Sequence, residues 1–291
     1  NDDENLFKFI ENVDNSFLHF PLKYYKILSD ESQELVEEAL EMDDNEKLFE
    51  IGRNLIEGRL DFPIDVKIGL NFVKETMNRG DKSSLVYYIE MLIKGELIPS
   101  NHKRARKLIE TSLSNDESLY SLMLGKLLKK EGRYEESAEY FKRSIKLGND
   151  ESLYEYAELQ RKSRIKQESQ EDISKLYKEA IEHGHLKSMY KYGLELMKSE
   201  SNEKQNEGLS LIKLAADKGH NKSNYYYGEK VEKEKENSNE EIKPEESESM
   251  KYFKRGASEG HVESMNKYGV RLFKYIQSLP KVEKYDESII K

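Results

Sequence analysis

Cysteine and tryptophan are both missing from the 291 residues of this chain. Without cysteine there is no disulfide, no thiolate metal site and no cysteine nucleophile. That favours a reducing compartment. The cytoplasm is the expected location, with an endoplasmic-reticulum or secretory lumen as the alternative if a leader precedes the chain. Proline (5) and glycine (16) are scarce, so little interrupts helices. No apolar run approaches the roughly 20 residues of a membrane helix. The longest, Leu85 to Ile93, is broken by Glu90, and no membrane insertion is expected. The acidic start Asn1-Asp2-Asp3-Glu4 is not a signal peptide, and without an initiator Met the chain reads as a fragment or processed product. A net charge of −9 with interleaved signs argues against a nucleic-acid partner. No phosphate-cradling glycine motif and no nucleophile elbow occurs.

What is present is a repeat. Ala180 begins A-I-E-H-G-H-L-K-S-M-Y-K-Y-G, Ala215 begins A-A-D-K-G-H-N-K-S-N-Y-Y-Y-G, and Ala257 begins A-S-E-G-H-V-E-S-M-N-K-Y-G. Self-similarity at a fixed period is the signature of a stacked array. The same slot is held by Asp43, Gly80, Ser114, Gly148, Gly184, Gly219 and Gly260, at spacings of 37, 34, 34, 36, 35 and 41 residues.

Counting from each mark, apolar or small residues recur at +5, +8, +9 and +12, one stripe of a helix. Position +9 is small at Gly52, Ala157, Gly193, Gly228 and Gly269. Glycine inside a helix costs about 1 kcal/mol relative to alanine, so its recurrence predicts backbone contact with the next helix. Ile89 and Met123 break that rule. A second helix precedes each mark, with a bulky residue at −7 and a small one at −4, as in Phe141 and Ser144 or Tyr177 and Ala180. In the Ser114 copy Lys107 fills the bulky slot, a poor fit. The mark itself suits a left-handed C-cap, and Asp or Asn after it suits an N-cap.

These residues resemble the Sel-one-like repeat, a relative of the tetratricopeptide repeat. Ser188, Tyr192 and Gly193 match its first helix, and Ala215, Ala216, Gly219 and His220 match its second. The Gly-rich turn of that family is replaced here by polar spacers such as Ser199 to Asn202. The resemblance implies an all-α, right-handed superhelical solenoid of antiparallel helix pairs, about seven to eight repeats of roughly 36 residues. Residues 1–28 are expected to form atypical N-terminal capping helices. Residues 29–279 would form the solenoid, with an acidic insertion at 229–249, and 280–291 a truncated helix or tail.

The resemblance implies a scaffold or adaptor role and no catalysis. Three of the six histidines hold one repeat slot, and the pair His183 and His185 lacks further ligands. No metal and no cofactor are therefore expected. A second stripe, at +6, +10 and +13, lies about a quarter-turn from the core stripe. In tetratricopeptide-like arrays that flank faces the concave groove. The candidate partner-binding residues there are Phe49, Arg53, Ile93, Tyr120, Leu124, Leu127, Tyr154, Arg161, Tyr190, Lys191, Leu194, Met197 and Tyr225. Tyr and Leu would anchor a protein or peptide segment, and the cations would orient its acidic groups. Packing between neighbouring repeats is the competing use of the same stripe. An architectural spacer, or a homo-oligomer formed through the array ends, is the alternative function.

Overall fold

A computed structural model of the chain describes residues 20, 22–162, 164–165, 169–235 and 247–278. Residues 1–19 of the expected N-terminal capping segment, the centre of the acidic insertion and the tail 280–291 lie outside them. Every regular element among the described residues is a helix. They are α1 (Leu22–Tyr25), α2 (Asp30–Glu41), α3 (Asn45–Glu57), α4 (Val66–Asn78), α5 (Lys82–Lys94), α6 (His102–Ser112), α7 (Glu117–Lys130) and α8 (Tyr134–Lys146). Then follow α9 (Asp150–Arg161), α10 (Gln170–Glu182), α11 (Leu186–Leu196), α12 (Asn202–Asp217), α13 (Asn221–Lys235), α14 (Glu248–Ser258) and α15 (Val262–Ser278). The chain forms two compact units, divided within α8 after Ser137.

In the first unit α2 to α7 each pack on their chain neighbours. The −7 and −4 positions of α2, Val36 and Ala39, are buried against Leu48, Ile51 and Leu55 of α3 and Phe72 of α4. Burying each such large side chain stabilises by about 1.5–3 kcal/mol. In the second unit α9 to α15 repeat the arrangement. Ala157 (α9), Ile173 and Tyr177 (α10) and Tyr192 (α11) form one core cluster. Both units are stacks of helix pairs, the all-α solenoid the period predicts.

The +9 glycines meet the next backbone as expected at Gly52 and Gly193, whereas Gly228 faces the Phe253 ring and no described residue lies within 4 Å of a Cβ on Gly269. Gly52 and Gly69 face each other so closely that a Cβ on Gly69 would lie 2.5 Å from the Gly52 carbonyl oxygen. Gly193 and Gly208 repeat this crossing, again at 2.5 Å. Ile89, in the same slot, and Met123, nine past Ser114, are fully buried.

The marks at Gly80, Gly148, Gly184, Gly219 and Gly260 all take φ between 76° and 91°, the left-handed turn that favours glycine. Asp43 holds the same slot at φ 51°. The Ser114 copy differs. Its helix cap is Asp116, two residues past the mark instead of one. The fully buried bulky residue of α6 is Ile109, two positions past Lys107, and Leu108 between them is half-buried.

Candidate interaction face of the first helices

A residue one or two positions past the mark caps the following helix. Asp44, Asp81 and Asp116 do so in the first unit, each accepting a backbone N–H with its carboxylate. Asn149 does so in the second. From there the slot becomes histidine. The Ser188 N–H donates to His185 Nδ1 at 3.2 Å, Ser223 N–H to His220 Nδ1 at 3.3 Å, and Ser264 N–H to His261 Nδ1 at 3.3 Å. The serine hydroxyls donate to the same nitrogens at 2.8 to 2.9 Å, and all three serines are fully buried. An Nδ1 that accepts carries no proton, so these are neutral Nε2–H imidazoles. His185 directs that Nε2–H to Glu151 at 2.9 Å. The Gly-His pair is thus a turn followed by a cap. The sequence shows the slot, but only the Asp and Asn in sister copies hint at its role.

Each cap histidine also meets the +6 tyrosine of the preceding repeat. Ring centroids are 5.4 Å apart for Tyr154 and His185, 5.2 Å for Tyr190 and His220, and 5.8 Å for Tyr225 and His261. Tyr154 further touches Tyr177, and Tyr190 packs edge-on against Tyr226. Phe49 packs edge-on against Tyr87 in the first unit at 5.6 Å. The +6 aromatics therefore tie successive repeats together while staying half-buried.

Four expected flank residues lie in the interior. Tyr120, Leu124 and Leu127 are 2%, 2% and 0% exposed. The cap at Asp116 explains them. Counted from that cap, Tyr120 takes the place Met189 has after His185, and Leu127 the place of Leu196. A slip of one residue rotates the helix by about 100° and turns the expected flank into the core stripe. Ile93 is likewise buried.

Arg161 is already engaged. It grips Glu158 through Nε at 2.9 Å and Nη2 at 3.0 Å, and approaches Glu195 at 3.7 Å. Tyr177 donates to the same carboxylate at 2.6 Å. Burial alone would raise the Glu158 carboxyl, yet the Arg161 and Tyr177 hydrogen bonds hold it at about 2. The same carboxylate raises the Arg161 guanidinium, and burial raises the Tyr177 phenol. Arg161 is a structural cation here, contrary to its expected role toward a partner. Arg53 is half-buried, with its Nε out of solvent and without a partner among the described residues.

Lys191 is different. It is half-buried and forms no ion pair among the described residues, and its Nζ lies 5.9 Å from the Tyr190 ring. Desolvation depresses its ammonium, the Glu158 carboxylate opposes that, and Arg161, Lys222 and Lys162 nearby push it down further. Leu194 and Met197, half-buried, continue this flank along α11 and its end. Among the described residues no cluster of three His, Asp or Glu side chains is placed to hold a metal, and no helix is long and apolar enough to cross a membrane.

No family model and no curated protein matches the sequence. Solved structures do match. A Sel1 repeat protein from Oxalobacter formigenes is 15% identical with a TM-score of 0.51, over 85% of this chain and 94% of that one. The chain shares the Sel1 repeat fold. A protective antigen present in uropathogenic Escherichia coli strains, displaying an SLR fold, is 16% identical with a TM-score of 0.47 over 84% of this chain. The present chain spans about half of that protein, 53% of its length. Within the Sel1 repeat fold, the small +9 residue and the Ala-Ala-x-x-Gly-His end of the second helix become legible as parts. The first is a helix crossing, as at Gly193 and Gly208. The second is a packed turn of α12 with a C-cap and the next N-cap, at Ala215, Ala216, Gly219 and His220.

Proposed function

We propose that the chain is a non-catalytic protein-interaction scaffold that takes a partner segment on the concave face of its first helices. The observation that carries this is Lys191, without an ion pair among the described residues, beside half-buried Tyr190, with Leu194 and Met197 following on the same flank. A half-buried ammonium among other cations gains from an incoming carboxylate. Aromatic and aliphatic neighbours that are only partly covered gain from further burial. Tyr154, Tyr190 and Tyr225 recur at one slot per repeat, which suits an extended peptide crossing several repeats. The partner segment is thus acidic, with bulky apolar side chains on either side of its carboxylate.

The test is selection from a displayed peptide library on the immobilised chain, followed by titration of the selected peptides. Lys191→Glu is expected to weaken them at least about tenfold, and Tyr190→Ala similarly. Selected peptides that bind both variants as tightly as the parent chain, or that carry no acidic preference, would rule out this face.

A further inference from the structure

The last described helix, α15, carries a stripe that its counterparts bury. Met265 is 51% exposed, while Met189, in the same repeat slot of α11, is 3% exposed. Val262, Val270 and Phe273 are 71%, 47% and 61% exposed. Gly269 holds the +9 slot. Where Gly52 and Gly193 receive a neighbouring glycine and its helix, no described residue comes within 4 Å of a Cβ built on Gly269. The other side of α15 is occupied. Lys267 pairs with Glu229 at 2.7 Å and Arg271 with Glu232 at 2.6 Å, both on α13. These two cations are drawn toward α13, and the positions of the outward stripe itself carry no charge.

We infer that this stripe of α15 pairs with the α15 of a second copy of the chain, crossing at Gly269. The pattern is its own complement. Counted from Gly269, Met265 stands at −4 and Phe273 at +4, Val262 at −7 and Ile276 at +7. Two antiparallel helices related by a two-fold axis at Gly269 set each Met265 on the partner copy's Phe273, and each Val262 on its Ile276. A two-fold contact requires such self-complementarity. The crossing would reproduce the Gly–Gly approach that Gly52 with Gly69 and Gly193 with Gly208 make inside each unit. Glycine at the centre lets the helices approach closely enough for the flanking side chains to interlock. Methionine sulfur against an aromatic ring is a favourable contact. The paired repeats would then each have the covering helix that the internal repeats possess.

The test uses the full chain and its mass in solution by sedimentation from about 1 to 100 µM, a range suited to a modest interface. A dimer is expected. Phe273→Glu and Gly269→Leu should each weaken it at least about 100-fold, by buried charge and by blocked approach. Circular dichroism should stay unchanged, because neither side chain is covered in the single chain. Because the chain has no cysteine, Met265→Cys and Phe273→Cys chains can be mixed under mild oxidation. A disulfide between the two different variants is expected in preference to one between like variants. A dimer that survives both Phe273→Glu and Gly269→Leu would overturn the inference. So would a monomer throughout the range. In that case slow alkylation of the Met265→Cys thiol would assign the stripe to residues 279–291 of the same chain, and fast alkylation to a different protein.

Discussion

Replacing His220 tests the cap argument most directly. Its Nδ1 accepts the Ser223 N–H at 3.3 Å and the Ser223 hydroxyl at 2.8 Å, and its ring lies on Tyr190. Burial, with Lys187 and Lys222 nearby, depresses the imidazole to about 4 from 6.5. Between those values the unfolded chain binds a proton that the folded chain refuses. The unfolded state holds more protons there, so stability rises with pH. The contribution is fully present above pH 6.5 and lost as pH falls toward 4. A shift of this size corresponds to at most about 3 kcal/mol. His220→Asn keeps a cap, since Asn149 fills the same slot on Ser152 at 3.0 Å, but does not titrate. Urea unfolding followed by circular dichroism at several pH values from 7 to 4 is the assay. Near pH 7 the variant should lie within about 1 kcal/mol of the parent. Toward pH 4 the parent should lose about 2–3 kcal/mol more than the variant. Parallel pH profiles would refute the neutral-cap argument. His220→Ala should cost about 1 kcal/mol at pH 7 from the lost cap alone.

Other parts of the second unit carry their own tests, all by urea unfolding. Gly193→Ala puts a methyl 2.7 Å from both the Gly208 carbonyl oxygen and Ile212 Cγ1. It should destabilise by about 1–3 kcal/mol although alanine is the better helix former. Glu158→Gln removes the carboxylate that Arg161 and Tyr177 share and should cost about 2–4 kcal/mol at pH 7. With the carboxyl held at about 2 in place of 4.5, the advantage of the parent should persist to pH 4.5 and shrink as pH falls toward 2. Asn224 is fully buried with neither amide atom bonded to a described residue, in the slot that Leu153 and Met189 fill elsewhere. Asn224→Leu should stabilise by about 1–3 kcal/mol, and a loss of that size would show that the amide is satisfied.

The period, the helix pairs, the left-handed marks and the glycine crossings follow from the sequence by itself. Each is a local or nearest-neighbour property, and the repetition states it several times over. Val36 with Ala39, and Phe141 with Ser144, are buried as their slots predict, because a helix buries whatever face its apolar residues share. Tertiary structure alone decided which flank residues stay accessible. The slot of Tyr120 is set by whether Asn115 or Asp116 caps α7, one residue apart and chemically alike, and that choice rotates the side chain from flank to core. Whether Arg161 is free or gripped depends on Glu158 three residues back and on Tyr177 one helix away. The exposed stripe of α15 has the same residue types as a buried one. Its exposure comes from what packs beside it, which no pattern within the helix encodes.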